Sequence, residues 1–193
     1  MTRESMVGPF DLDGQVALVS GAAGGLGFAI AGALGCHGAR VIVSDLEASR
    51  CEAVASELRG RGMQARGVAC DLRDSQSIRQ MASAALAFWG RLDILVCNAG
   101  VQGPAGPLGQ TTAADWDAVM DVNLAAPLAL TSLLIPQMGA RRSGSVVLMS
   151  SIAGLRGNRA IGLYALSKAA LAQLARNLAG VDSYATGSPA VER

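Results

Sequence analysis

Four short apolar runs recur at near-constant intervals. Val16–Ser20, Val41–Asp45, Gly67–Asp71 and Leu92–Asn98 begin 25, 26 and 25 residues apart, and a fifth, Ser145–Ser151, begins 53 residues after the fourth. Each run is dense in Val, Ile and Leu, as strands covered on both faces should be. Parallel strands cannot be joined by a tight turn, so each crossover needs a dozen or more residues, usually a helix. The intervening segments read that way. Glu47–Arg61 ends among Gly60 and Gly62, and Ser75–Trp89 follows the cap Asp74 and stops at Gly90. Thr112 and Asp115 make a variant capping box for a helix reaching about Met138, with Pro127 and Pro136 expected to bend or break it. Tyr164–Ala179 is an Ala/Leu-rich helix, and the residues from Gly180 onward read as coil. The alternation predicts one doubly wound α/β domain over residues 1–193, a parallel sheet between two helical layers. Such sheets take ligands at the carboxyl ends of their strands.

Composition removes several classes. Sixteen basic and fifteen acidic residues give a net charge of +1, so no nucleic-acid or acidic-membrane footprint is expected. Val16–Ala39 is 24 residues without a charge, long enough to span a bilayer. It holds seven glycines and opens on a β-rich run, which favours a strand, a turn and a buried helix. The first residues, MTRESMVGPFDLDG, contain no apolar core of a secretory signal. Cys36, Cys51, Cys70 and Cys97 are widely spaced with no CxxC pair, which argues against a disulfide framework or zinc site. Reduced thiols in the cytoplasm are the expectation. The lone His37 builds no metal site and is expected at the surface near a helix end; no metal is expected.

The turn after the first run is Ser20-Gly21-Ala-Ala-Gly24-Gly25-Leu26-Gly27. Glycines at 21, 25 and 27 let the backbone turn tightly and approach a pyrophosphate, with the next helix presenting its free N–H groups. A close helix–strand packing turn would use the same residues. The second run ends in Asp45, 24 residues after Gly21. A carboxylate there can accept both ribose hydroxyls of an adenosine and repels a 2′-phosphate, which favours NAD over NADP. No Lys or Arg lies in the glycine turn to offset that repulsion. Asp45 can equally cap the following helix. Asp71, before Leu72, can reach an adenine edge or serve as an ordinary cap.

Tyr164 and Lys168 stand at i and i+4, on one helical face. A phenol titrates near ~10 and is a poor base at neutral pH. A nearby cation favours the phenolate. Such a pair can move a proton to or from a substrate oxygen while hydride moves to or from a nicotinamide. An exposed i, i+4 pair has the same pattern.

Taken together, the chain resembles the short-chain dehydrogenase/reductases from about Phe10 to about Ala179. The glycine turn matches the family's TGxxxGxG with Ser20 for Thr, and Cys97-Asn98-Ala99-Gly100 resembles its NNAG with Cys for the first Asn. Asp71 matches its adenine-contacting acid, and Tyr164-Ala-Leu-Ser-Lys168 its YxxxK. The resemblance implies a Rossmann-type fold binding NAD through Gly21, Gly24, Gly25, Leu26, Gly27, Asp45, Asp71, Leu72, Asn98, Ala99 and Gly100, with Tyr164 and Lys168. It implies that Ser151 holds the substrate oxygen beside Tyr164, since Ser150 alternates to the other face of the strand. It also implies that Asn123 supports a water relay to Lys168, or simply kinks its helix. The activity implied is NAD(H)-dependent conversion of a secondary alcohol or ketone, of 3-oxoacyl, polyol, sugar-acid or steroid type. Arg156 and Arg159 in the loop after the fifth run can face an anionic substrate or solvent. Family members are often dimers or tetramers joined through the helices at residues 112–138 and 164–179.

Family members usually continue past the Tyr/Lys helix with a strand, a Pro-Gly loop, a lid and a last strand. None is legible after Gly180, and Ser188-Pro189 lacks the glycine. The expectation is a fold lacking its last strands, with the fifth run as a sheet edge that invites pairing with another chain. An open pocket predicts weak or no turnover. The alternatives are a catalytically silent NAD-binding or interaction module, and an unstable fragment.

Overall fold

The computed structural model describes residues 10–186, with side chains described through residue 180. Five parallel strands form one sheet in the order β3-β2-β1-β4-β5. They are β1 Val16–Ser20, β2 Arg40–Asp45, β3 Ala65–Ala69, β4 Ile94–Cys97 and β5 Ser145–Leu148. β1 lies at the centre, and all five of its residues are buried. Its alternate side chains serve opposite faces. Val16 and Leu18 join Ile42 and Leu95 under α3 (Ser75–Trp89) and α5 (Ala126–Arg141), packing on Met81, Leu130 and Leu134. Ala17 and Val19 join Val41 and Val43 under α1 (Gly25–Cys36) and α2 (Ala48–Gly60), packing on Ala31 and Leu58. The expected three-layer Rossmann-type α/β fold is the observed one.

Several boundaries shift. β3 starts two residues before the predicted run, because β2 sets its register by pairing Val41 with Ala65 and Asp45 with Ala69. Asp71 therefore lies beyond the strand. β5 ends at Leu148, where its partner β4 ends at Cys97, and not at Ser151. The two prolines do not break the long helix. Pro127 falls in the first turn of α5, where its missing N–H costs little, and Pro136 is carried inside α5. The interruption between α4 (Ala113–Met120) and α5 is a π-turn over Asp121–Ala125 that contains Asn123. By length and composition alone, Ala113–Arg141 would also suit a membrane span. Here Leu130, Leu134 and Met138 pack it on the sheet.

The tail prediction needs the largest correction. α6 runs from Gly162 to Thr186, so residues 180–186 are helical. A single glycine such as Gly180 costs a helix about 1 kcal/mol and does not stop it. Ser188 and Pro189 lie outside the described residues. Among the described residues β3 and β5 are the sheet edges. Beside β5, residues Met138, Val146, Leu148 and Leu178 line a groove of about 600 Å³.

At the opposite end of the sheet from the glycine turn, buried Asp93 pins β4 to β1 and α5. Its carboxylate accepts from Val16 N at 2.9 Å and from Arg91 Nη2 at 2.7 Å, with Arg141 Nη2 at 3.4 Å. Burial raises the Asp93 carboxyl. The Arg91 hydrogen bonds, the Val16 N–H and the charges of Arg91 and Arg141 outweigh it, so the carboxyl lies below its ordinary range.

Candidate functional site

The glycine turn is built for close approach. Gly21 and Gly25 adopt φ of +65° and +54°, which L side chains rarely tolerate. A Cβ on Gly21 would sit 2.8 Å from Ala99 Cα, and one on Gly27 would overlap the Gly21 carbonyl and reach 2.6 Å from Asn98 Nδ2. Gly24 is the N-cap of α1. The first turn-to-helix bond runs from Phe28 N to the Gly24 carbonyl. The N–H groups of Gly25, Leu26 and Gly27 precede it and are the free donors of a helix N-terminus.

Residues far away in sequence hold this turn. Ser20 Oγ donates to the Val96 carbonyl at 3.4 Å and accepts from the N–H groups of Asn98 and Ala99 at 3.1 and 3.2 Å. Asn98 Nδ2 donates back to the Ser20 and Gly21 carbonyls at 3.0 and 3.2 Å. Asn98 thus lines the cavity, while its amide donors hold the turn in place. The sequence marks Ser20 as the residue standing for Thr in TGxxxGxG, but not its bonds to the loop after β4, which only the fold brings to it.

Of the two roles open to Asp45, the structure excludes helix capping. Glu47 is the N-cap residue of α2 and makes no side-chain cap bond. Asp45 instead faces the turn, accepting from Ala23 N at 3.0 Å and Leu46 N at 2.8 Å. Each carboxylate oxygen retains a lone pair for a further donor. Asp71 accepts from Arg73 N at 2.9 Å, the main reason its carboxyl lies below the ordinary range. Asp45, Asp71, Leu72 and Asn98–Val101 line one cavity of about 630 Å³ that starts at Ser20 and Gly21. That volume suits a small-molecule cofactor site. The glycine cradle with its free N–H groups fits a pyrophosphate, and Asp45 fits an adenosine ribose.

Lys168 and Asn123 meet at the far side of Gly100. A Cβ on Gly100 would lie 3.2 Å from Lys168 Nζ and 3.3 Å from Asn123 Oδ1. Lys168 is 3% exposed, and its Nζ donates to the Met149 carbonyl at 2.7 Å. Burial lowers its pKa. Cys97, which lies near Lys168 in the fold, is pushed up to about 12 by burial and stays a neutral thiol near pH 7, so it does not cancel the lysine charge. Lys168 Nζ lies 5.6 Å from the centre of the half-buried Tyr164 ring. Asn123 is fully buried and pins the π-turn to the loop after β4. Its Oδ1 accepts from Val101 N at 2.8 Å, and its Nδ2 donates to the Val101 carbonyl and to Ser167 Oγ, both at 2.9 Å. Ser167 was missed by sequence reading, because only the α6 packing brings it to Asn123.

The two serines after β5 take different partners. Ser150 Oγ donates to the Lys168 carbonyl at 2.8 Å, tying the loop to α6. Ser151 is the N-cap of a 3₁₀ turn, Ile152–Leu155, and its Oγ accepts from Ala153 N at 3.2 Å. That turn packs tightly on α6, since a Cβ on Gly154 would lie 2.7 Å from Ala169 N. Its oxygen keeps its own O–H to donate.

A parallel sheet with a glycine turn opening a helix at the carboxyl end of its central strand is the arrangement by which doubly wound α/β folds hold a nucleotide cofactor. The short chain dehydrogenase family model matches residues 15–183, and the chain belongs to that family. It is 38% identical over 168 residues to human "Dehydrogenase/reductase SDR family member 2, mitochondrial", which covers 87% of this chain and 60% of that protein. It is 42% identical over 142 residues to the D-threitol dehydrogenase of Mycolicibacterium smegmatis, covering 74% of this chain and 54% of that one. The chain thus spans about 60% of the length of the first of these relatives. A metagenomic short-chain oxidoreductase solved with NADP superposes with a TM-score of 0.84 at 40% identity, covering 90% of this chain and 78% of that one. A 7α-hydroxysteroid dehydrogenase solved with NADH and 7-oxo glycochenodeoxycholic acid superposes with a TM-score of 0.86 at 32% identity, covering 96% and 71%.

Proposed function

We propose that the chain transfers hydride between NAD(H) and a secondary alcohol or ketone, with Tyr164 as the acid/base. The observation that carries this is the buried Lys168 ammonium, 5.6 Å from the Tyr164 ring and adjoining Gly100 at the cofactor cavity. A bound nicotinamide supplies the hydride acceptor in one direction and the donor in the other.

The chain's own residues supply the proton chemistry. Ser151 Oγ donates to the substrate oxygen and holds it for Tyr164. In oxidation the Tyr164 phenolate takes the alcohol proton as hydride leaves the carbon; in reduction the phenol returns it to the forming alkoxide. Lys168 favours the phenolate by its charge. The Met149 carbonyl fixes the ammonium at 2.7 Å, and Asn123 keeps the loop after β4 against α6 by its bonds to Val101 and Ser167. Gly21, Gly24, Gly25, Leu26 and Gly27 take the pyrophosphate, Asp45 the ribose, and Asp71 with Leu72 the adenine. Asp45 makes NAD the preferred coenzyme. The similarity to a D-threitol dehydrogenase and a 7α-hydroxysteroid dehydrogenase supports polyol and steroid alcohols as substrate classes, beside 3-oxoacyl and sugar-acid compounds.

The same reading includes a homo-oligomer in the cytoplasm. Leu128 and Leu133 on α5 and Leu166 on α6 leave apolar surface in water, which a second copy would cover. The function is tested by following NADH absorbance with a panel of one ketone or alcohol from each class. Slow turnover with at least one class is expected. Absence of turnover with all of them, in both directions, would contradict the reading.

A further inference from the structure

Ser167 stands on α6 between the two residues assigned to the proton chemistry, three positions after Tyr164 and directly before Lys168. It is fully buried and is not among the residues that line the cavity. Its hydroxyl makes two bonds. Oγ donates to the Tyr164 carbonyl at 2.7 Å, back along the helix, and accepts from Asn123 Nδ2 at 2.9 Å. Asn123, equally buried, holds Val101 by its N–H at 2.8 Å and by its carbonyl at 2.9 Å. Val101 follows Gly100, where a Cβ would lie 3.2 Å from Lys168 Nζ. These contacts close a ring. One side runs from the cavity wall at Gly100 and Val101 through Asn123 and Ser167 to the backbone of Tyr164. The other side returns from Lys168 Nζ to Gly100. Packing alone does not call for a serine here. Ala165, Ala169 and Ala170 are its neighbours on α6, and alanine forms a helix better and brings no polar group to bury.

We propose that Ser167 is a positioning residue that, through Asn123, sets where the Tyr164–Lys168 turn stands against the cavity wall. This rests on the assignment of Tyr164 and Lys168 above. Ser150 holds the same turn from the loop after β5 by its bond to the Lys168 carbonyl, but Ser150 is exposed, so water can take over that bond. Ser167 and Asn123 are both 0% exposed, and bulk water cannot replace the bond between them. Its loss leaves an Asn123 N–H unpaired in the interior, which costs more than the bond itself contributes. The turn then shifts against the wall at Gly100, and a small shift of an acid/base costs rate far more than affinity.

The test compares the native chain with Ser167→Ala and Ser167→Thr by initial rates, NADH titration and thermal melt. Ser167→Ala is expected to lower kcat about tenfold, with the Kd for NADH and the KM for the alcohol or ketone changed less than about twofold. Ser167→Thr keeps the hydroxyl and recovers most of that loss. If the alanine variant does not fold, Ser167→Cys takes its place; its thiol fills similar space, bonds only weakly, and must show the same split between kcat and Kd. A role in stability alone predicts a lower melting temperature with kcat of the folded chain unchanged, and that result would overturn the assignment. So would an equal loss of rate and NADH affinity, or no recovery in a folded threonine variant. A native chain that binds NADH but turns over no alcohol or ketone would overturn the roles given to Tyr164 and Lys168, and this assignment with them.

Discussion

The two ends of the site are built differently. At the nucleotide end, the Ser20 hydroxyl, the Asn98 amide and the Asp45 carboxylate are all bonded to backbone of the glycine turn or its neighbours, across sequence separations of 22 to 79 residues. The strands beneath are buried: β1 throughout, β2 except at its ends. At the catalytic end, β5 is an edge strand whose four residues are all exposed or half-buried. There Lys168, Asn123 and Ser167 are deeply held, while Ser151 is fixed by a turn bond two residues away. Donors aimed in advance cost nothing to order when a ligand arrives. The nucleotide end is therefore set for binding, and in the proposed mechanism the alignment of Ser151 with Tyr164 decides the rate.

The sharpest way to separate the ends is Tyr164→Phe. It should lower turnover by about 10²–10⁴-fold, the worth of a positioned acid/base, while NADH affinity stays within about twofold. Initial rates and a fluorescence titration of the same sample check both halves. Parallel loss of binding would mean that the two ends are not independent.

Gly27→Ala attacks the nucleotide end. The added methyl overlaps the Gly21 carbonyl, so the fold loses about 1–3 kcal/mol as for other overpacked sites, and coenzyme stabilisation disappears. Thermal melts with and without NADH measure both. An unshifted melting temperature with normal NADH stabilisation would show the turn to be looser than described.

Asp93→Asn tests the frame common to both ends. Removing the carboxylate from Arg91 and Val16 should cost about 1–3 kcal/mol. The pH dependence has a definite sign. The folded carboxyl lies below the ordinary range, so its contribution is complete above the unfolded value of about 3.9 and is lost as pH falls through the folded one. Denaturation followed from pH 7 downward should show the native chain losing stability below about pH 5, with this part of the loss absent in Asp93→Asn. The smallest change is Thr112→Ala, which removes one member of the capping box and leaves Asp115, which lines the cavity, in place. About 0.5–2 kcal/mol should be lost by urea titration, with NADH affinity changed by less than about twofold.

Strand–helix rhythm made the fold legible. The intervals between the first four runs forced parallel crossovers, and apolar continuity forced burial. Capping was legible where it is local: Asp74 accepts from Gln76 N, and Thr112 and Asp115 bond reciprocally. Boundaries set by a partner were not. β3 takes its register from β2 and β5 its end from β4, and neither partner can be read from the strand itself. The glycine turn and the Tyr164/Lys168 pair showed themselves by spacing. The groups that hold them did not, because Ser20 with Asn98, Asn123 with Ser167, and Arg50 with Ala23 meet only after the chain has folded. The coil expected from Gly180 failed because one glycine weakens a helix without ending it.

The central claim is that the glycine turn and Asp45 form a ready coenzyme site. It is tested most directly by a thermal melt of the chain alone and with NADH at about 100 times its Kd. A folded binder gains about 2.7 kcal/mol under those conditions, or about 5–10 °C for a chain of this size. One cooperative transition raised by that amount is the predicted result. A cooperative transition indifferent to NADH would contradict the claim.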